Sequence, residues 1–335
     1  MMHTRICEVF GVEHPILNAP MGGGDAPGQL AAAVSAAGGL GLIGGTTVAG
    51  APWLAEQIRV VRAHTDRPFG VGFISHLPNA GELVAAALAD GVRIVALSFG
   101  DPTPFVGPAH DAGALVLCQV RTVDAARRAA DAGVDVVTAQ GTEAGGHTGR
   151  VSTLPLVPAV VDAVAPVPVV ASGGIADGRG VAAALMLGAD GVWIGTRFLA
   201  THECGVSAAY KARVIAAHGN ETVLTDLFDL ALGMPWPEGV SGRAIRNAFV
   251  DRWEGREVDL RAWAAEHRDE YRRLGAGGAG AAAAAGDAEV AEKAIWAGEA
   301  AGFVTRTESA ADVVRELVAG AAAVLRDRPA RILSD

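Results

Sequence analysis

A chain of 335 residues, half of them apolar and 19% charged, is long enough to bury one large α/β core or two ordinary ones, and too apolar to stay disordered. Its formal net charge of −10 argues against nucleic acid or an anionic membrane surface as the main partner, since either needs a basic face. Three scattered cysteines, Cys7, Cys118 and Cys204, form no CxxC pair and predict neither a disulfide framework nor a metal cluster, with a reducing cytoplasm as the expected location.

The first residues, "MMHTRICEVFGVEHPIL", lack the basic start and apolar core of a signal peptide, and no unbroken apolar run long enough for a membrane span follows. "PILNA" (15–19) is the first strand-like run. An alanine-rich helical segment, a glycine and a short β-branched run then recur, as "LAAAVSAAGGLGLIGG" from Leu30, "ELVAAALADGVRIVALS" from Glu82, "AARRAADAGVDVVTAQG" from Ala125 and "GVAAALMLGADGVWIG" from Gly180. Glycine stops each helix, and each apolar run fits a parallel strand buried on both faces. With "FGVGFI" (69–74), "ALVLCQV" (114–120) and "VPVVAS" (167–172) the strands number eight, the count of a TIM (β/α)8 barrel. Doubly wound α/β sheets share the alternation, and the count favours the barrel.

"GLGLIG" (39–44) matches G-x-G-x-x-G, but it follows a helix and contains the strand itself, with no acidic residue placed for a ribose. It predicts a helix stop, not a dinucleotide site. About 140 residues lie beyond the eighth strand at 191–195. They predict a helical subdomain at about 203–287, broken by "GMPWPEGVSG" (233–242) and ending in an Ala/Gly-rich loop at 274–286. Two amphipathic helices, from "DAEVAEKAIWAGEAAGFV" and "SAADVVRELVAGAAAVLRD", then pack back on the barrel, so that residues 1–202 and about 288–335 form one unit.

The chemistry is expected at the loops that follow the strands. After the last two strands, Gly173, Gly174, Gly195 and Thr196 offer backbone amides to a phosphate, with a helix N-terminus behind them. After the first strand, Ala19, Pro20 and Met21 lead a glycine-rich loop past the barrel mouth, where a flat ring can lie on backbone. Met21 is also compatible with simple packing. In "AQGTEAGGHTGR" (139–150), His147 follows the sixth strand amid Gly141, Gly145, Gly146 and Gly149. The glycines read as room for a planar ring and the histidine as the acid or base beside it. "HEC" (202–204) lacks metal-ligand spacing, and no metal is expected.

"PMGGG", "AQGTEAGGHTG", "ASGGIADGRGVAAALMLGADGVWIGTRFLAT" and "AIWAGEAAGFV" resemble the nitronate monooxygenase family, formerly 2-nitropropane dioxygenase, over about 4–205 and 287–325. That family also holds FMN-dependent enoyl-ACP reductases and some quinone reductases. The resemblance implies a TIM barrel with FMN at its C-terminal face. Gln140 and Gly145 would contact FMN, Gly174, Trp193, Ile194, Gly195 and Thr196 would hold its phosphate end, and His147 would be the base. Two positions depart from the family: Gly72 stands where an FMN-contacting Asn is frequent, and Trp193 where Gln is. The implied activity is oxidation of a small alkyl nitronate with O2 to a carbonyl compound and nitrite. The alternative is NAD(P)H-dependent reduction of an enoyl thioester or a quinone. Oligomeric state is not legible in the sequence.

Overall fold

The computed structural model describes residues 2–47, 49–275 and 287–333. Eight parallel strands form one sheet, β1 (Ile16–Asn18), β2 (Gly41–Gly44), β3 (Phe69–Ile74), β4 (Ile94–Ser98), β5 (Leu115–Val120), β6 (Val136–Gln140), β8 (Val169–Ser172) and β9 (Gly191–Ile194), in the order β1-β9-β8-β6-β5-β4-β3-β2. A short β7 (Gly146–Thr148) lies outside it. The sheet closes between β1 and β2. Leu17 bridges Leu40, and Leu40 N–H donates to Ile16 O at 2.9 Å. One residue on, the Asn18 side chain continues the ladder: its Nδ2 donates to Leu42 O and its Oδ1 accepts from Leu42 N, both at 2.8 Å. The predicted barrel is present.

Helices α1 (Arg5–Phe10), α2 (Gly28–Ala36), α3 (Gly50–His64), α4 (Ala80–Ala89), α5 (Thr103–Asp111), α6 (Val123–Asp131), α7 (Thr153–Val164) and α8 (Gly178–Met186) belong to the barrel, followed by the short α9 (Thr196–Leu199). Strand residues alternate between two cores, as the period of two demands. Leu17, Leu42, Ala96, Leu117 and Val170 fill the interior, where Ile6 and Phe10 of α1 join them. Val71, Val95, Val116, Val137 and Ala171 face the outer helices. Each recurring module ends its helix on a left-handed glycine, Gly38, Gly91, Gly133 or Gly188.

The segment beyond the barrel strands carries α10 (Ala208–Ala216), whose Val214 joins the outer barrel core, and then α11 (Leu227–Leu232), α12 (Ala248–Trp253) and α13 (Glu257–Gly275) around a core that includes Phe228, Phe249, Trp253 and Tyr271. It is not helical throughout. β10 (Thr222–Thr225) and β11 (Ser241–Ile245) pair antiparallel, and β11 pairs with β7, setting Gly242 opposite His147. These strands are four and five residues long, and one partner is almost a hundred residues away, so no local period announces them. The buried Arg243 ties this sheet to the barrel loop, donating from Nε to Thr142 O at 2.7 Å.

The helix expected over "DAEVAEKAIWAGEAAGFV" is a second correction. α14 (Asp287–Glu292) ends early, and the chain runs without helix to a 3-10 turn at Glu299–Phe303. Two long-range bonds hold it open: Ile245 N–H donates to Ile295 O, and Gly298 N–H to Thr196 Oγ1, each at 2.9 Å. α15 (Ala310–Ile332) returns to pack on α8. A Cβ on Gly178 would lie 2.3 Å from Ala321 N, so the two helices meet backbone to backbone. The loop read at 274–286 lies, from 276 on, outside the described residues. Among the described residues no helix is long and apolar enough to cross a membrane, and no cluster of His, Cys, Asp or Glu is arranged to hold a metal ion.

Candidate active site

A cavity of about 610 Å³ opens where the strands end. All twelve site residues expected from the sequence line it: Ala19, Pro20 and Met21 after β1, Gln140 at the end of β6 with Gly145 and His147 after it, Gly173 and Gly174 after β8, and Trp193, Ile194, Gly195 and Thr196 at the end of β9. They contribute differently. Trp193 is 3% exposed and packs into the barrel interior, so it forms floor. Thr196 Oγ1 is already the acceptor for Gly298 N–H.

The turns after β8 and β9 form a backbone cradle. Gly173 and Gly174 take φ of +104° and +71°, which L side chains rarely adopt. Among the described residues, the amides of Gly173, Gly174 and Gly195 donate to no protein acceptor. Of the two helix starts behind these turns, that of α8 is occupied, because Asp177 caps it, accepting from Arg179 N at 2.9 Å and Gly180 N at 3.1 Å, whereas α9 begins at Thr196 behind Gly195 with no side-chain cap. An anion at this end would meet the turn amides and the uncapped start of α9. Gln140 Oε1 is buried beside them without a partner, and a buried unpaired acceptor is costly unless a bound group completes it. Free amides and an orphaned amide oxygen in one cavity fit the phosphate and polar edge of a flavin nucleotide.

Three of the four glycines around His147 are close against the protein itself, while Gly146, at φ +70°, lines the cavity with nothing within 4 Å of where its Cβ would be. A Cβ on Gly141 would sit 2.0 Å from Thr153 Oγ1, on Gly145 2.4 Å from Gly298 N, and on Gly149 2.8 Å from Arg121 Cβ. Close backbone approach is required there, as the sequence implied, but neighbouring chain makes it. Gly72 has a similar cause: a Cβ would fall 2.2 Å from Pro20 Cγ, so the Pro20 ring occupies the place of a side chain.

His147 sits in a clamp of side chains. Its Nε2 lies 2.9 Å from Asp229 Oδ2, and both side chains are about nine-tenths buried. The Trp236 ring stacks on it at 3.5 Å and 14°, and Trp296 approaches at 4.9 Å. Trp236 Nε1 donates to Asp229 Oδ1 at 3.0 Å. Trp296 reaches the ring because Gly242 is opposite: a Cβ there would stand 2.3 Å from Trp296 Cζ3. Phe99, edge-on to Trp236 at 5.0 Å, takes φ 69°, a rare conformation for a bulky residue. Behind Trp236, burial lowers the pKa of His76 and so favours its neutral form.

The sequence reading missed Asp229, Trp236, Trp296 and Phe99. Asp229 left a trace as an acid inside the apolar "LFDLAL" of α11, and Trp296 lies inside the family-like stretch "AIWAGEAAGFV". It also missed Asp25, which lines the cavity and whose carboxyl burial pushes up to about 7.

Residues 3–320 match the family described as nitronate monooxygenase. A 5-hydroxy-7a-methyl-1-oxo-octahydro-1H-indene-4-carboxyl-CoA dehydrogenase of Mycobacterium tuberculosis is 38% identical over 276 residues, 82% of this chain and 75% of that protein. FabK from Thermotoga maritima superposes with a TM-score of 0.85 at 31% identity, covering 99% of this chain and 100% of that one. Nitroalkane oxidase from Streptomyces ansochromogenes gives 0.77 at 31% identity, covering 93% and 96%.

Proposed function

This chain belongs to the nitronate monooxygenase family of flavin-dependent oxidoreductases, and from that premise we propose that it oxidises a small alkyl nitronate with O2 to a carbonyl compound and nitrite. The observation that carries the reading is His147, held by Asp229 and two tryptophans on the wall of the cavity that the glycine turns share. We take FMN as the flavin, because Gly173, Gly174 and Gly195 offer one compact set of amides for one phosphate.

When bound, the flavin supplies the electron chemistry. The protein's part is position and proton handling. The turn amides would hold the phosphate end, and Gln140 Oε1 would accept from the polar edge of the ring. His147 would take the α-proton of a neutral nitroalkane, and as imidazolium it would face the anionic nitronate. The stacked Trp236 keeps water from one face of the imidazole.

A second reading, dehydrogenation or NAD(P)H-linked reduction of an acyl or enoyl thioester, draws on the Mycobacterium tuberculosis relative and on the apolar wall of Leu77, Leu232 and Met234. The proton chemistry is common to both, because a carbon next to a thioester carbonyl is also acidic. Anaerobic mixing separates them. Rapid flavin bleaching by ethylnitronate and not by NAD(P)H or thioester is the expected result. Bleaching by NAD(P)H or by a saturated acyl thioester, with none by nitronate, would replace the first reading with the second.

A further inference from the structure

Both oxygens of one buried carboxylate are committed. Asp229 on α11 accepts from Trp236 Nε1 through Oδ1 at 3.0 Å and meets His147 Nε2 through Oδ2 at 2.9 Å. An indole N–H only donates, and an ionised carboxylate only accepts. Opposite an ionised Asp229, the imidazole nitrogen that faces Oδ2 carries the proton, which leaves Nδ1 with the free lone pair. Trp236 fixes the arrangement twice, by its bond to Oδ1 and by lying flat on the imidazole.

We propose that Asp229 is the positioning residue of this site: anchored by Trp236, it holds His147 protonated at Nε2 so that Nδ1 takes the substrate's proton. The proposal rests on the reading of His147 as the base. In the step, the α C–H bond breaks and its electron pair stays with the substrate as the nitronate. The proton forms an N–H bond at Nδ1, and no electron leaves the substrate. The imidazolium then carries a proton on each nitrogen, with its charge against the Asp229 carboxylate. The residue comes from the segment after the barrel strands, so the barrel supplies the base and the added segment sets its protonation.

Asp229→Asn tests this sharply because Trp236 still demands an oxygen. The new amide must turn its NH2 toward Nε2, and the imidazole proton moves to Nδ1, where it blocks the acceptor. In flavin-loaded protein, turnover of nitroethane should fall by about 10²-fold or more, while flavin content and turnover of pre-formed ethylnitronate change little. Nitrogen NMR of histidine-labelled resting protein should show the neutral ring protonated at Nε2 in the native chain and at Nδ1 in the variant. Adding Trp236→Phe to Asp229→Asn frees the amide to present its oxygen, so part of the nitroethane activity should return; a purely structural defect would deepen instead. The proposal is overturned if the native ring carries its proton on Nδ1, if the Asn variant keeps it on Nε2, or if nitroethane turnover is unchanged. Intact nitroethane turnover in His147→Ala would instead overturn the assignment of the base, and the native NMR spectrum would still decide whether Asp229 sets the ring.

Discussion

The cavity has two walls of different construction. Along β8 and β9 the surface is backbone, where Gly173, Gly174 and Gly195 present amides and add no side chain. Across from it the surface is side chains, with His147 clamped among Asp229, Trp236 and Trp296. A backbone wall offers the same donors whatever the neighbouring residues are, which suits a constant phosphorylated cofactor. A side-chain wall brought by an added segment can be altered without rebuilding the barrel, which suits a substrate. Proteins similar to this chain carry different substrate names, as a side-chain wall of this kind would allow.

If the division of labour holds, His147→Ala should show the largest effect and only on chemistry. Turnover of neutral nitroethane should drop by about 10²–10⁴, with flavin content and melting temperature near those of the native chain. Loss of flavin together with activity would mean that the two walls are not separable.

A pair of glycine variants sharpens the contrast within the backbone. Gly195 has φ −102°, and a Cβ there would make only ordinary contacts, 3.5 Å to Ala19 Cβ and 3.9 Å to Met21 Sδ. Gly195→Ala should weaken FMN by roughly tenfold or more, the worth of a bond to a charged group, while the flavin-free protein melts as before. Gly145→Ala should do the reverse. Its Cβ would strike backbone at Gly298, and overpacking of this kind costs about 1–3 kcal/mol. Urea unfolding and flavin titration on both variants check the crossing. Equal loss of flavin in both would place Gly145 in the cofactor wall.

The smallest expected effect concerns Asp25. Its folded carboxyl titrates at about 7 against 3.8 for an ordinary aspartate, because burial disfavours the charge. Between those values the folded state holds a proton that the unfolded state has released, so stability falls as pH rises through the window and levels off above it. Raising the pH from about 5 to about 8 should therefore lower the melting temperature of the native chain more than that of Asp25→Asn. Parallel pH dependence of the two would show that Asp25 ionises freely in the fold.

The barrel and the positions that gather at its mouth are readable from residue order alone. Buried parallel strands read as continuous apolar runs, and helix stops read as glycines, because both follow from local covalent geometry and burial. Gly173, Gly174, Gly195, Gln140 and His147 were legible because each ends or follows a strand, and a (β/α)8 barrel sends every such strand end and loop to one face. What surrounds them comes from long-range packing. Asp229 meets His147 across 82 residues of chain, and Gly242 stands opposite it only through the pairing of β7 with β11. Gly145 is glycine because Gly298 arrives from the far end of the sequence. None of these contacts has a local period or motif. They are selected by packing between segments that sequence order keeps apart, and that packing sets which nitrogen of His147 bears its proton.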